Sequence, residues 1–136
     1  MADTVLLIDD NPVQAVTRQA ILRRAGYFVI AALNPRRALE QFREDEFPSE
    51  VELVITDHIM PGMSGADFTR ELRKIRPNLP ILVISGLADA EAEYAGLGVE
   101  FRMKPLPPDM LLDCVHCMVR HETPSQMTTG VVSSVL

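Results

Sequence analysis

Short apolar runs alternate with stretches of helical spacing along almost the whole chain. Residues 5–8, 27–31, 51–56, 81–84 and 99–103 are runs of strand length, and the third is nearly all apolar, as expected of a strand covered on both faces. After the first run, Asn11-Pro12 supplies a helix N-cap with proline at the first helical position. Val13, Val16, Ala20 and Ile21 then recur at helical spacing up to Ala25, and Gly26 fits a left-handed stop. Asn34-Pro35 repeats the start signal, with Ala38, Leu39 and Phe42 on one face of a second helix, and Phe47-Pro48-Ser49 reads as a turn. Phe68, Leu72 and Ile75 give a third helical stripe, stopped by Pro77. Residues 88–97 are rich in Ala and Glu, with Gly96 and Gly98 at their end, and predict a short, weak fourth helix. Pro107-Pro108-Asp109 opens a fifth, whose apolar positions are Leu111, Leu112, Val115, Met118 and Val119.

Five strands and five helices in strict alternation specify an α/β fold, a parallel sheet doubly wound with helices on both faces. The 136 residues suit one ordinary domain. Its elements occupy residues 4–121, and the Thr-, Ser-, Pro- and Gly-containing stretch 122–136 reads as a tail or linker stump. The apolar end Val131-Val132…Val135-Leu136 is expected to belong to a flexible tail rather than to pack on a neighbour.

Composition narrows the function classes. With 47% hydrophobic and 24% charged residues the chain is globular, not disordered. Its longest fully apolar run, residues 27–33, is too short to span a bilayer. The start Met-Ala-Asp-Thr carries no signal peptide, so a cytoplasmic location without membrane partners is expected. A net charge of −6 with scattered basic residues argues against direct nucleic-acid binding. The one basic cluster, Arg70, Arg73, Lys74 and Arg76 with Glu71 among them, is expected to be a solvated helix face. Cys114 and Cys117 form a C-x-x-C pair late in a helical pattern, not at the helix N-terminus where redox thiols gain their acidity. Only His116 and His121 could complete a metal set with them, and both cysteines are expected to be small apolar helix residues.

Four of the strand-like runs end in a functional group: Asp9-Asp10, Asp57, Ser85 and Lys104. In a parallel sheet these ends share one rim, and ligands of open α/β sheets bind beyond that rim. Three carboxylates brought together repel one another. A hard divalent cation, magnesium or manganese, removes the conflict and takes oxygen ligands. Asp10 and Asp57 can supply side-chain oxygens, and the loop after Asp57 a backbone carbonyl. With its charge offset, Asp57 can act as a nucleophile and form an aspartyl phosphate. The Lys104 ammonium and the Ser85 hydroxyl suit the charge carried by phosphoryl oxygens.

Asp9-Asp10, Asp57 with Met60-Pro61 and Gly65, Ser85-Gly86, and Phe101 with Lys104-Pro105 together resemble the receiver domains of two-component response regulators. The resemblance covers residues from about 4 to 121, with the parts in the family's order. It implies the flavodoxin-like strand order 2-1-3-4-5. It also implies that Asp57 accepts a phosphoryl group from a sensor histidine kinase or phosphotransfer protein. Asp10 matches the direct magnesium ligand, Asp9 its neighbour acting through water, and Ile59 the position whose backbone carbonyl joins the metal. Ser85 matches the switch hydroxyl, Lys104 the lysine that bonds a phosphoryl oxygen, Pro105 the usual cis-proline, and Phe101 the aromatic that turns inward with Ser85. The surface of the fourth helix, fifth strand and fifth helix would then signal to a downstream protein or output domain, a phosphorylation-dependent dimer being one form of output.

Two departures stand out. The stretch from Ser85 to Lys104 is shorter than the family's usual one and rich in Ala and Gly, which predicts a reduced fourth helix and a thinner partner surface. Ile59 and Leu87, at positions that tune phosphate hydrolysis in the family, are both apolar. Three other readings fit less well. A phosphatase of the haloacid dehalogenase type places a second Asp two residues after its nucleophile, where this chain has Ile59. A binding module with an idle acidic site would not need the full residue set. A thiol redox protein would need Cys114 and Cys117 at a helix start. No DNA-binding, cyclase or phosphodiesterase segment follows residue 122, so a free-standing receiver and one excised from a longer protein are both expected forms.

Overall fold

A computed structural model describes residues 2–121 of the chain. The elements run β1 (Thr4–Ile8), α1 (Pro12–Arg24), β2 (Phe28–Ala32), α2 (Pro35–Glu44), β3 (Val51–Asp57), α3 (Gly65–Ile75), β4 (Ile81–Ser85), a 3-10 segment (Ala88–Tyr94), β5 (Glu100–Met103) and α4 (Pro108–Val119). All strand pairs are parallel, in the order β2-β1-β3-β4-β5. This is the doubly wound parallel sheet expected from the alternation of patterns, in the flavodoxin-like order that the resemblance implies. The tail reading of residues 122–136, including the apolar end at Val131–Leu136, lies outside the described residues.

Strand geometry sorts the core into two layers, because successive side chains point to opposite faces. Leu6, Ile8, Val54, Ile81 and Val83 face α2 and α3, where they meet Leu39, Phe42, Phe68 and Leu72. Val5, Leu7, Leu53, Ile55, Leu82 and Ile84 face the other way, toward Leu22 of α1 and Leu111, Val115 and Met118 of α4. Cys114 and Cys117 are buried in α4, as small apolar residues there should be.

The helix starts follow their sequence signals. The Asn11 side chain accepts from the Val13 and Gln14 amides, and Asn34 does the same for Arg36 and Arg37, each followed by proline in the first turn. Gly26, just past α1, sits at φ 100°, which only glycine adopts readily.

Two expectations are corrected. Most of the apolar stripe assigned to α1 faces solvent: Val13 is 75% and Val16 64% exposed and Ala20 is exposed, while Ile21 packs against the core and the buried positions are Ala15 and Leu22. Beside these apolar residues, α1 turns the polar Gln14 and Arg18 toward the sheet rim. The fourth helix, expected to be short and weak, is a seven-residue 3-10 segment. The basic cluster on α3 is not simply a solvated face. Arg70 and Lys74 do pair at the surface with Asp67 and Glu71. The Arg73 guanidinium instead donates to the carbonyls of Leu97, Arg76, Leu79 and Gly98 at 2.6, 3.0, 2.7 and 3.1 Å. It ties the end of α3 to the loop before β5.

Candidate functional site

The strand register brings the carboxyl ends of β1, β3, β4 and β5 to one rim, with Ile8 beside Thr56, Asp57 beside Ile84 and Ser85 beside Met103. Asp57 closes β3 and is buried; Asp9 follows β1 and is fully buried; Asp10 stands next to it, nearer solvent. One carboxylate oxygen from each lies within 4.8 Å of the others. The Asp9 carboxylate accepts the Asn11 amide at 2.9 Å. Burial first, and then the facing Asp57 carboxyl, push the Asp9 pKa up to about 7. The group is all hard oxygen, without thiol or imidazole, which is the donor chemistry of magnesium and manganese.

Two cations reach into this group. Lys104 Nζ lies 3.1 Å from Asp57 Oδ1 and 3.1 Å from the Gln14 side-chain oxygen. Arg18 Nη1 lies 3.1 Å from Asp9 Oδ2 and 3.2 Å from Asp57 Oδ1. Gln14 and Arg18 are four residues apart, one above the other on the same face of α1. That face is polar because it supplies side chains to the rim, which is why its hydrophobic pattern misled. Neither residue was marked by the sequence. The signal available was that a face set by the buried Ala15 and Leu22 would carry both of them inward.

Of the residues matched by sequence, Asp9, Asp10, Asp57 and Lys104 come together. Ser85 is buried at the end of β4, but its hydroxyl accepts the Leu87 amide at 3.0 Å. Its carbonyl accepts the Lys104 amide at 2.8 Å, just before the cis Lys104-Pro105 bond. Phe101 is half-buried on β5, with its ring 5.9 Å from that of Tyr94. The side chains of Ile59 and Leu87 are exposed.

Two further residues escaped the sequence reading. His58, directly after Asp57, is buried, with Nδ1 2.7 Å from the Tyr94 hydroxyl and Nε2 3.4 Å from Glu93. Burial and neighbouring Glu93 push the Tyr94 hydroxyl pKa far up, so it stays protonated. Gly65 explains how Tyr94 fits. A Cβ there would collide with the Asp57 carbonyl and lie 2.6 Å from the Tyr94 hydroxyl. A side chain at the start of α3 would therefore displace the Asp57 backbone or the Tyr94 ring.

Comparison with known proteins agrees with this geometry. The family model described as response regulator receiver domain matches residues 5–116. The chain is 33% identical to the transcriptional regulatory protein AruR of Pseudomonas aeruginosa over all of its own length and 57% of that protein's. It is 31% identical to the transcriptional regulatory protein ZraR of Escherichia coli, of which it spans 29%. It thus spans about half or less of these longer relatives. With the chemotaxis protein CheY of Thermotoga maritima the identity is 32%, covering 85% of this chain and 97% of that one. A response regulator receiver protein from Sinorhizobium medicae superposes with a TM-score of 0.76 at 28% identity, covering 88% of this chain and 95% of that one. A CheY-like receiver domain protein from Methanospirillum hungatei, at 22% identity, shares the fold with a TM-score of 0.80 over 89% of this chain and 96% of that one. Among the described residues no helix is long and apolar enough to cross a membrane.

Proposed function

The chain belongs to the response regulator receiver family of two-component systems, and on that premise we propose that Asp57 is its phosphoacceptor, taking a phosphoryl group from a histidine kinase or phosphotransfer protein. The observation that carries this reading is the setting of Asp57: a buried carboxylate at a strand end, with Lys104 Nζ 3.1 Å from one oxygen and two more carboxylates within 4.8 Å.

Asp10 and Asp57, with the Ile59 backbone carbonyl and Asp9 through water, would hold a magnesium or manganese ion. When bound, that ion offsets the carboxylate charge and neutralises charge on the phosphoryl oxygens. The chain's own residues do the rest. The Asp57 carboxylate is the nucleophile: its oxygen forms the acyl-phosphate O–P bond as the bond from phosphorus to the donor histidine nitrogen breaks, and the imidazole leaves with that electron pair. Lys104, held in place by Gln14, is oriented to bond a phosphoryl oxygen. Ser85 would leave its bond to the Leu87 amide and turn to the phosphate.

Phosphorylation adds about −1.5 to −2 charge and new acceptor oxygens beside β4 and β5. The route outward runs through two contacts: His58 to Tyr94, and Tyr94 to Phe101. Movement of Ser85 and Phe101 would shift the 3-10 segment, β5 and α4, the surface that a downstream protein, an output domain or a second copy would read. The domain spans residues 4–121 in this reading and is a switch: the only reactions it promotes are its own phosphorylation and dephosphorylation. The test is phosphotransfer from a labelled histidine kinase. Label that enters the wild type, is released by hydroxylamine as an acyl phosphate is, and never enters Asp57→Asn supports the reading; label that survives hydroxylamine or persists in Asp57→Asn contradicts it.

A further inference from the structure

Arg18 bridges two of the three carboxylates proposed to hold the cation. Its Nη1 bridges Asp9 Oδ2 at 3.1 Å and Asp57 Oδ1 at 3.2 Å, and its side chain is only 12% exposed. Lys104 already supplies positive charge to the same Asp57 oxygen, so a second cation there is more than Asp57 needs for its own neutralisation. Among the described residues Asp10 has no ion-pair partner, so the guanidinium ties up two of the three carboxylates and leaves the third open. Arg18 extends from the middle of α1, a helix at the surface, on a flexible stem whose tip can move without disturbing Ala15 and Leu22, the buried anchors of that helix.

We propose that Arg18 is a built-in competitor for the divalent-cation site: its guanidinium bridges Asp9 and Asp57 at rest and must leave Asp57 before that carboxylate and Asp10 can hold a cation. The inference rests on the reading of the three aspartates as a cation site. The physical reason is charge and space together. Magnesium approaches its oxygens at about 2.0–2.1 Å, closer than the guanidinium nitrogen does. The two positive groups would then face each other across buried carboxylates, where water screens them little. Three carboxylates against Arg18 and Lys104 leave the resting site close to neutral. Adding a divalent ion with Arg18 still seated makes it positive, and withdrawing Arg18 restores the balance. Arg18 therefore sets a threshold for cation binding, and through it for phosphorylation.

The test compares wild type with Arg18→Met, which keeps length and helix propensity but removes the charge, and with Arg18→Gln should the methionine variant fold poorly. Magnesium affinity of the unphosphorylated protein is measured by calorimetry, and the Arg18 Nε–H signal is followed by NMR during the same titration. The expected result is an affinity at least about tenfold tighter without Arg18, and an Arg18 signal in the wild type that moves with the calorimetric midpoint. Magnesium should also raise the melting temperature more in the variant than in the wild type. Equal or weaker affinity in the variant, or an unmoved Arg18 signal, overturns the proposal. If Asp57 is still phosphorylated in that case, the receiver reading stands without it. If Asp10→Ala leaves magnesium binding unchanged in both backgrounds, the aspartates are not the cation site and both fail.

Discussion

Arg18 and Lys104 meet on the same atom, their nitrogens 3.2 and 3.1 Å from Asp57 Oδ1. One comes from the inner face of α1 and the other from the end of β5, so opposite sides of the rim close on one carboxylate. Gln14 shares Lys104 with Asp57, which leaves the lysine little freedom to settle elsewhere. Asp57 is thus held between a lysine and an arginine at rest.

The state of Asp9 should be visible in stability. Burial and the Asp57 carboxyl raise its pKa from 3.8 to about 7 in the folded protein. Between those values the folded state keeps a proton that the unfolded state has lost, so this group's contribution to stability falls as pH rises from about 4 to about 7 and levels off above. In chelator, Asp9→Asn should lose this part of the slope and gain relative to wild type as pH rises toward 8. Melting temperatures measured across pH 4–8 check it, and parallel curves for the two proteins would contradict it.

Arg73 should matter more than its place in a charged cluster suggests. Its bonds to the Leu97 and Gly98 carbonyls hold the loop before β5 against α3, and those to Arg76 and Leu79 hold the turn that follows α3. Arg73→Met keeps most of the stem but removes every donor, and should cost roughly 2–4 kcal/mol in denaturant unfolding. Arg70→Met, which loses a surface pair with Asp67, should cost under about 1 kcal/mol. Similar losses for both would show that Arg73 is only a surface charge.

Phosphate lifetime should follow the two apolar positions at the mouth of the site. The exposed side chains of Ile59 and Leu87 cannot orient an attacking water by hydrogen bonds. Phosphorylated wild type should therefore decay slowly, and Ile59→Asn roughly tenfold faster. The measurement is loss of phosphate after removal of the donor. Equal, fast decay in both proteins would rule this out.

What could be read from the sequence and what could not divide along physical lines. The strands, the caps at Asn11 and Asn34, and the acidic rim were legible because each rests on local rules: apolar runs, an amide acceptor before proline, a functional residue at a strand end. Asp9, Asp10, Asp57 and Lys104 needed only the parallel sheet to bring them together. The face of α1 was not legible, because its inward side serves the site with Gln14 and Arg18 while Val13 and Val16 face solvent. Arg73 was misread because its partners are backbone carbonyls, two of them 24 and 25 residues away, which no charge pattern reveals. The His58–Tyr94 contact likewise joins residues 36 apart and depends on the space that Gly65 leaves.

The central claim is tested most directly by the intact mass of the protein after incubation with a small phosphodonor and magnesium. A gain of one phosphoryl group that needs magnesium and disappears in Asp57→Ala is the result expected. No gain in the wild type with magnesium present, or the same gain in Asp57→Ala, would contradict it.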